Sequence, residues 1–86
     1  MLNKEEFVTK AYGNLSDREL YDINVLCDRI VNILIKSAEN SGICISYIIL
    51  DDKVRNWVIY KLRKESLYVK SVMDKNKIYV SFVDLF

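Results

Sequence analysis

The sequence feature that most constrains the fold is a long amphipathic stripe that begins at a capping box. Ser16 and Glu19 have the S-x-x-E spacing at which each side chain accepts a hydrogen bond from the other residue's backbone N–H. Apolar residues then recur at three- and four-residue steps, and Gly42 follows as a stop signal. This pattern predicts a helix over about residues 17–40. Its apolar stripe consists of Leu20, Ile23, Cys27, Ile30, Val31, Leu34 and Ala38.

A second cap predicts a short helix before the long one. Asn3 precedes Glu6 at the spacing of a capping box. The helix is expected over about residues 4–12 and to stop at Gly13, which can take the left-handed conformation that ends helices.

The second half of the chain alternates between strand and helix signals. Residues 43–50 are rich in Ile and Tyr and predict a strand. Both faces of this strand are largely apolar, so it is expected to be covered on both. Asp51 or Asp52 caps a third helix over about residues 53–65, and this cap accounts for the paired carboxylates better than a cation site does.

Two alternating segments, residues 67–73 and 78–83, predict a β-hairpin. Asn76 tolerates a positive φ and gives the turn between them a mechanism. If Met73 pairs with Ile78, one face belongs to the core and the other is amphipathic and partly wet. The core face holds Leu67, Val69, Ser71, Met73, Ile78, Val80 and Phe82, and the other face holds Tyr68, Lys70, Val72, Tyr79, Ser81 and Val83.

The order of these elements predicts a single α+β domain over residues 1–86. Two N-terminal helices, short and then long, precede a strand–helix–β-hairpin unit. Its three strands form a sheet packed on the long helix, and the pattern leaves open which strand is central.

Composition excludes several classes of function. The 86 residues include no histidine, so the chain alone cannot build a Ser-His-Asp triad or an imidazole metal site. Cys27 and Cys44 are too few ligands for a structural zinc site. Gly13 and Gly42 are the only glycines, too few for a glycine-rich phosphate loop. We therefore expect no enzymatic activity, no cofactor and no metal.

Neither a membrane span nor a secretory signal is expected. Apolar runs such as Tyr47–Leu50 are far shorter than the roughly 20 residues that a span needs. The first residues are too polar and acidic for a signal peptide. A reducing cytoplasm is therefore the expected location.

Charge is divided unevenly along the chain. Residues 1–52 carry five basic and nine acidic side chains, and residues 53–77 carry eight basic and two acidic ones, although the net charge is only +1. Lysines beside aromatic rings on a sheet are typical of platforms for single-stranded nucleic acid. The alternatives are a solvated face with a lysine-bearing edge that resists aggregation, and a basic protein-docking face. The candidate nucleic-acid-binding residues are Lys61, Arg63, Lys64, Tyr68, Lys70 and Tyr79.

Apolar residues outside the predicted core indicate a protein partner. Val25, Ile33 and Ile35 lie beside or behind the main stripe of the long helix. Either the first helix and the sheet flank this wide apolar arc, or it contacts a second copy or a partner. The apolar segment 82–86 either packs back onto the domain or reaches into another chain. The predicted protein-binding residues are Val25, Ile33, Ile35, Leu85 and Phe86, and a homodimer is expected.

Three segments carry a resemblance to a known class of proteins. They are residues 30–42 (IVNILIKSAENSG), the strand ICISYIIL, and the lysine-rich helix that runs into a hairpin (KLRKESLYVKSVMDKNKIYVSF). Over about residues 25–84 the chain resembles small bacteriophage accessory proteins. The resemblance implies a non-enzymatic protein that binds a host or phage protein stoichiometrically, including inhibitors of host defence. It implies no catalytic residues, and a phage-encoded chain would be located in the host cytoplasm.

Overall fold

Three helices and three strands follow one another in the predicted order. The computed structural model describes residues 3–86, apart from the side chain of Met73. Each element lies within one or two residues of its predicted limits, so the predicted α+β class is confirmed. The elements are α1 (Lys4–Gly13), α2 (Asp17–Glu39), β1 (Cys44–Ile48), α3 (Asp52–Lys64), β2 (Tyr68–Val72), a 3₁₀ turn (Met73–Lys75) and β3 (Lys77–Ser81).

Each helix begins at a side-chain cap. Asn3 caps α1 by accepting from the backbone N–H groups at the second and third helical positions. Ser16 and Glu19 form the complete capping box of α2, with reciprocal bonds of 3.1 and 2.9 Å. Asp51, rather than Asp52, caps α3 and accepts from the Val54 N–H at 3.0 Å. These caps satisfy N–H groups that have no partner within the helix.

Two of the helices end through a serine in the left-handed conformation. Ser41 follows α2 with a φ of 65°, and Ser66 follows α3 with a φ of 64°. In both places the residue after the serine donates its N–H to the third-last carbonyl of the helix, at 2.8 and 3.2 Å. This is the Schellman arrangement, in which the left-handed position usually holds glycine.

The predicted left-handed conformation of Gly13 is wrong, although α1 does end at this residue. Neither Gly13 nor Gly42 has a positive φ. Gly42 instead lies close to Ser37, where a Cβ atom would meet the serine side chain and would lie 3.0 Å from its backbone carbonyl oxygen.

The last strand in the chain is the middle strand of the sheet. The order is β1-β3-β2, and β3 is antiparallel to both neighbours. β1 and β2 are therefore parallel to each other and form the two edges. In the register, Ser46 and Lys70 lie on either side of Tyr79.

The register of the hairpin differs from the predicted one by two residues. Ser71, not Met73, lies opposite Ile78. The reversal uses the 3₁₀ turn followed by Asn76, whose φ of 51° confirms the predicted left-handed position. A shift of two residues leaves every strand side chain on its original face. The predicted burial is wrong at the end of the hairpin, where Phe82 is 42% exposed and Ser81 is fully buried.

α2 and α3 cover one face of the sheet and form the core with it. α2 packs beside β1, and α3 packs beside β2 and against α2. The prediction that the first strand is covered on both faces is wrong, because Ile48 on the outer face is 58% exposed. The buried apolar core consists of Leu15, Ile23, Ile30, Leu34, Ile49, Val54, Val58, Ile59, Leu62, Val69, Ile78 and Val80.

The short helix α1 is attached to α3 through aromatic rings. No residue of α1 is buried. The ring of Tyr12 meets Trp57 edge-on at a centroid distance of 5.3 Å, and Trp57 meets Tyr60 in the same way at 5.6 Å. Because α1 lies here, it does not cover Ile33 or Ile35, which are 38% and 52% exposed. Within residues 3–86, no helix combines the length and apolar character that crossing a membrane requires.

Candidate functional site

One cation of the basic segment, residues 53–77, is buried in the protein interior. Arg55 is only 3% exposed. Its guanidinium donates to the carbonyl of Ile49 at 2.7 Å and to Oδ1 of Asn76 at 3.3 Å, and it forms an ion pair with Asp52. Arg55 therefore joins the end of β1, the hairpin turn and the start of α3, and it cannot contact a phosphate. The pattern of charges along the chain did not indicate this role.

The three candidate nucleic-acid residues on α3 each have a partner within the protein. Lys61 donates to Oδ1 of Asn24 on α2. Arg63 donates to the carbonyl of Val69 at 2.9 Å. Lys64 lies 5.2 Å from the ring centroid of Tyr60, and a hydrogen bond to Tyr60 raises the pKa of this lysine. These cations lie in the helical layer.

The other three candidates lie on the opposite side of the sheet. Side chains alternate between the faces of a strand, so Tyr68 and Lys70 point away from buried Val69. Lys70 is directly opposite Tyr79 on the central strand, and the Nζ of Lys77 lies 5.8 Å from the Tyr79 ring centroid. The six predicted nucleic-acid residues therefore form two separate groups, one in the helical layer and one on the uncovered face.

The chain bends at Ser81 and leaves a group of apolar side chains exposed. Ser81 is fully buried; its Oγ donates to the carbonyl of Ile43 at 2.8 Å and accepts from the N–H of Val83 at 3.1 Å. These bonds hold the segment after β3 beside the start of β1. We call this group the apolar end; its members, 37–50% exposed, are Ile43, Phe82, Val83, Leu85 and Phe86. The side chains of segment 82–86 are thus partly covered by the domain and partly exposed, so both alternatives for this segment stay predictions.

The predicted protein-binding residues of α2 lie on two different flanks. Val25 and Ile33 line a shallow groove together with Arg29 and Lys36. Ile35 is two residues beyond Ile33, which is roughly 200° around the helix. The groove flank faces β1, because Arg29 donates to the hydroxyl of Tyr47 at 3.3 Å. Ile35 therefore lies on a different flank from Ile33 and does not line this groove.

A groove between α2 and α3 is lined by a cysteine thiol and by charged side chains. Cys27, Asp28, Lys61 and Glu65 line it. Burial is the main cause that raises the pKa of the Cys27 thiol, which disfavours the nucleophilic thiolate. In the part of the chain that the structure describes, no three His, Cys, Asp or Glu side chains are grouped so that they could hold a metal ion.

No protein-family model matches the chain, and comparisons with curated proteins and with solved structures found no match either. The resemblance to small bacteriophage accessory proteins therefore stays a prediction. Function is inferred from the surfaces described above.

Proposed function

We propose that this chain is a non-enzymatic protein-binding module that binds a partner protein through the apolar end. The observation that carries the proposal is the exposure of five apolar side chains at the start of β1 and in the segment that Ser81 joins to it, with Leu85 and Phe86 about half exposed. Exposed apolar patches of this kind are typical of protein interaction sites.

The apolar end is held in place before a partner arrives. Ser81 bonds to both Ile43 and Val83, so the segment after β3 leaves the sheet in a defined direction. A surface that is already ordered loses less conformational entropy on binding. Aromatic side chains dominate the binding energy of many interfaces, so Phe82 and Phe86 are the expected anchors.

The partner that we propose is a host protein, which the chain binds stoichiometrically and modulates or inhibits. This part of the proposal rests on the resemblance to small bacteriophage accessory proteins, among which are inhibitors of host defence. A host protein with an apolar groove that accepts phenylalanine rings fits the apolar end.

The test is affinity capture from a bacterial lysate with three forms of the full chain. The double variant Leu85→Ser/Phe86→Ser removes the two outermost apolar side chains. Tyr21→Ser is the matched control, because Tyr21 is 68% exposed but lies near the start of α2. We expect a protein that the wild type and the control retain and the double variant loses. Retention of the same proteins by all three forms would contradict the proposal, once circular dichroism shows that all three are folded.

A second candidate function is binding of single-stranded nucleic acid on the uncovered face of the sheet. The observation that favours it is the position of Tyr79 in the central strand, directly opposite Lys70 and close to Lys77. A ring flanked by cations on an open sheet can stack a base and attract its phosphate.

Fluorescence anisotropy with labelled oligonucleotides at low and moderate salt tests this candidate. Tyr79→Ala and Lys70→Ala should weaken binding, and affinity should fall steeply with salt. Lys64→Ala removes the same charge from the helical layer and should have little effect. Absence of binding at low salt would exclude the candidate.

A further inference from the structure

The hydrogen-bond pattern of the sheet shows which backbone N–H and C=O groups of the edge strands β1 and β2 point away from the sheet. The N–H of Ile49 donates to the carbonyl of Asn76 at 2.9 Å and continues the β1–β3 register. Alternate residues of an edge strand direct their backbone groups toward the neighbour and away from it. The N–H and C=O groups of Cys44, Ser46 and Ile48 therefore point away from the sheet.

The β2 edge is protected against pairing with a strand of another chain. By the same alternation, Val69 and Ser71 direct their backbone groups outward. Arg63 occupies the carbonyl of Val69 at 2.9 Å, and Lys70 places a charge within the strand. Charged side chains on an edge strand oppose pairing with another chain.

The β1 edge has no such protection. Residues 43–50 contain no charged side chain and no proline. Ser46 and Ile48 are exposed. Among residues 3–86, neither backbone nor side-chain groups bond to the outward N–H and C=O of Cys44, Ser46 or Ile48. An exposed, uncharged edge of this kind is a template for strand pairing.

We propose that β1 pairs antiparallel with β1 of a second copy, about a twofold axis at Ser46. Ser46 then lies opposite Ser46, and Cys44 lies opposite Ile48 of the other copy. The three outward-facing residues of each strand exchange about six hydrogen bonds. Two three-stranded sheets join into one six-stranded sheet. This proposal uses a different surface from the apolar end and stands independently of the proposed function.

β1 carries no charge that would oppose such a pairing, because residues 43–50 contain no charged side chain. Arg29, the cation of α2 that reaches β1, donates to the hydroxyl of Tyr47 in its own chain.

The pairing also limits the assembly to two copies. A twofold contact uses the same edge on both partners, which leaves only the two β2 edges of the joined sheet. Both of these edges are guarded by Arg63 and Lys70. A dimer is therefore expected, and not a fibre.

Sedimentation of the full chain gives the first test. We expect twice the chain mass for the wild type and the single-chain mass for Ser46→Pro, which removes an outward N–H without breaking the β1–β3 ladder. Ser71→Pro removes an outward N–H from the β2 edge and should leave the dimer intact. A monomeric wild type, or a dimer that survives Ser46→Pro, would overturn the proposal.

A cross-link keeps the proposal testable if Ser46→Pro fails to fold. Directly opposed residues in a hydrogen-bonded antiparallel pair have Cα atoms about 5.5 Å apart, which is within the range of a disulfide. In a chain with Cys27→Ser and Cys44→Ser, Ser46→Cys should form a covalent dimer on mild oxidation, and Ser71→Cys should not. Failure of Ser46→Cys to cross-link, or equal cross-linking by Ser71→Cys, would refute the twofold pairing.

Discussion

Replacement of Arg55 by methionine should destabilise the fold by about 3 kcal/mol. Methionine fills most of the same space but donates no hydrogen bond. Ile49 is 5% exposed, so its carbonyl would lose a charged donor at 2.7 Å and find little water to replace it. A buried acceptor left without a partner costs about 1–3 kcal/mol, and hydrogen bonds to charged groups are the stronger ones. The lost bond to Asn76 adds to this cost.

The ion pair with Asp52 should contribute little to that total. The Asp52 side chain is 78% exposed, and ion pairs in contact with water contribute about 0–1 kcal/mol. Asp52→Asn should therefore destabilise by less than about 1 kcal/mol. Arg55→Lys keeps the charge but has a single donor nitrogen, so its effect should fall between the other two.

Urea unfolding followed by the fluorescence of Trp57, the single tryptophan, measures these differences. A change of about 3 kcal/mol corresponds to a fall in Tm of roughly 12–24 °C for a domain of this size. The reasoning would be refuted if Arg55→Met cost less than about 1 kcal/mol, or if Asp52→Asn cost as much as Arg55→Met.

Three further predictions concern a helix end, a titrating cap and a thiol. Ser66→Gly should stabilise the protein by roughly 0.5–1 kcal/mol in the same urea assay, because φ is 64° there; a loss of stability would contradict it. The backbone N–H of Ser16, together with Lys53, lowers the pKa of Glu19 in the folded protein. A lowered folded pKa contributes stability above the unfolded pKa, and this stability is lost as the pH falls through the folded pKa. Glu19→Gln should therefore flatten the loss of stability on the acid side, and an unchanged pH profile would count against the capping box as its source. Burial raises the pKa of Cys27, so its thiol should react with a disulfide reagent at neutral pH more slowly than free cysteine does, in a chain whose other cysteine is serine. A rate equal to that of free cysteine would show that the groove is open to the reagent.

Local signals predicted the elements well. The helix caps, the capping box of α2, its helical stripe and the left-handed Asn76 all depend on residues within about four positions of one another. The alternation of the hairpin predicted which side chains share a face, although the register was two residues off. The 3₁₀ turn lengthened the reversal, and such a turn has a weak sequence signature.

The candidate sites were predicted less well than the elements. The sequence does not distinguish Arg55 from the other cations of residues 53–77. Only the packing of α3 against the end of β1 shows that it is buried. Ile33 and Ile35 were predicted to form one apolar surface, but two residues along a helix lie roughly 200° apart around its axis. The signal that marks the β1 edge was present as an uncharged run over residues 43–50. An uncharged run indicates an edge open to pairing only if the strand lies at the edge of the sheet, which depends on which strand is central.

The sequence by itself determined where helices and strands begin, which faces are apolar and which function classes the composition excludes. These properties follow from hydrogen bonds and side-chain periodicities that act over a few residues. Only the tertiary structure decided that β3 is central, that β1 and β2 are edges, and that one edge is guarded by Arg63 while the other is free. Strand order is a matter of contacts between residues far apart in the chain, and the local sequence of a strand does not encode its neighbours.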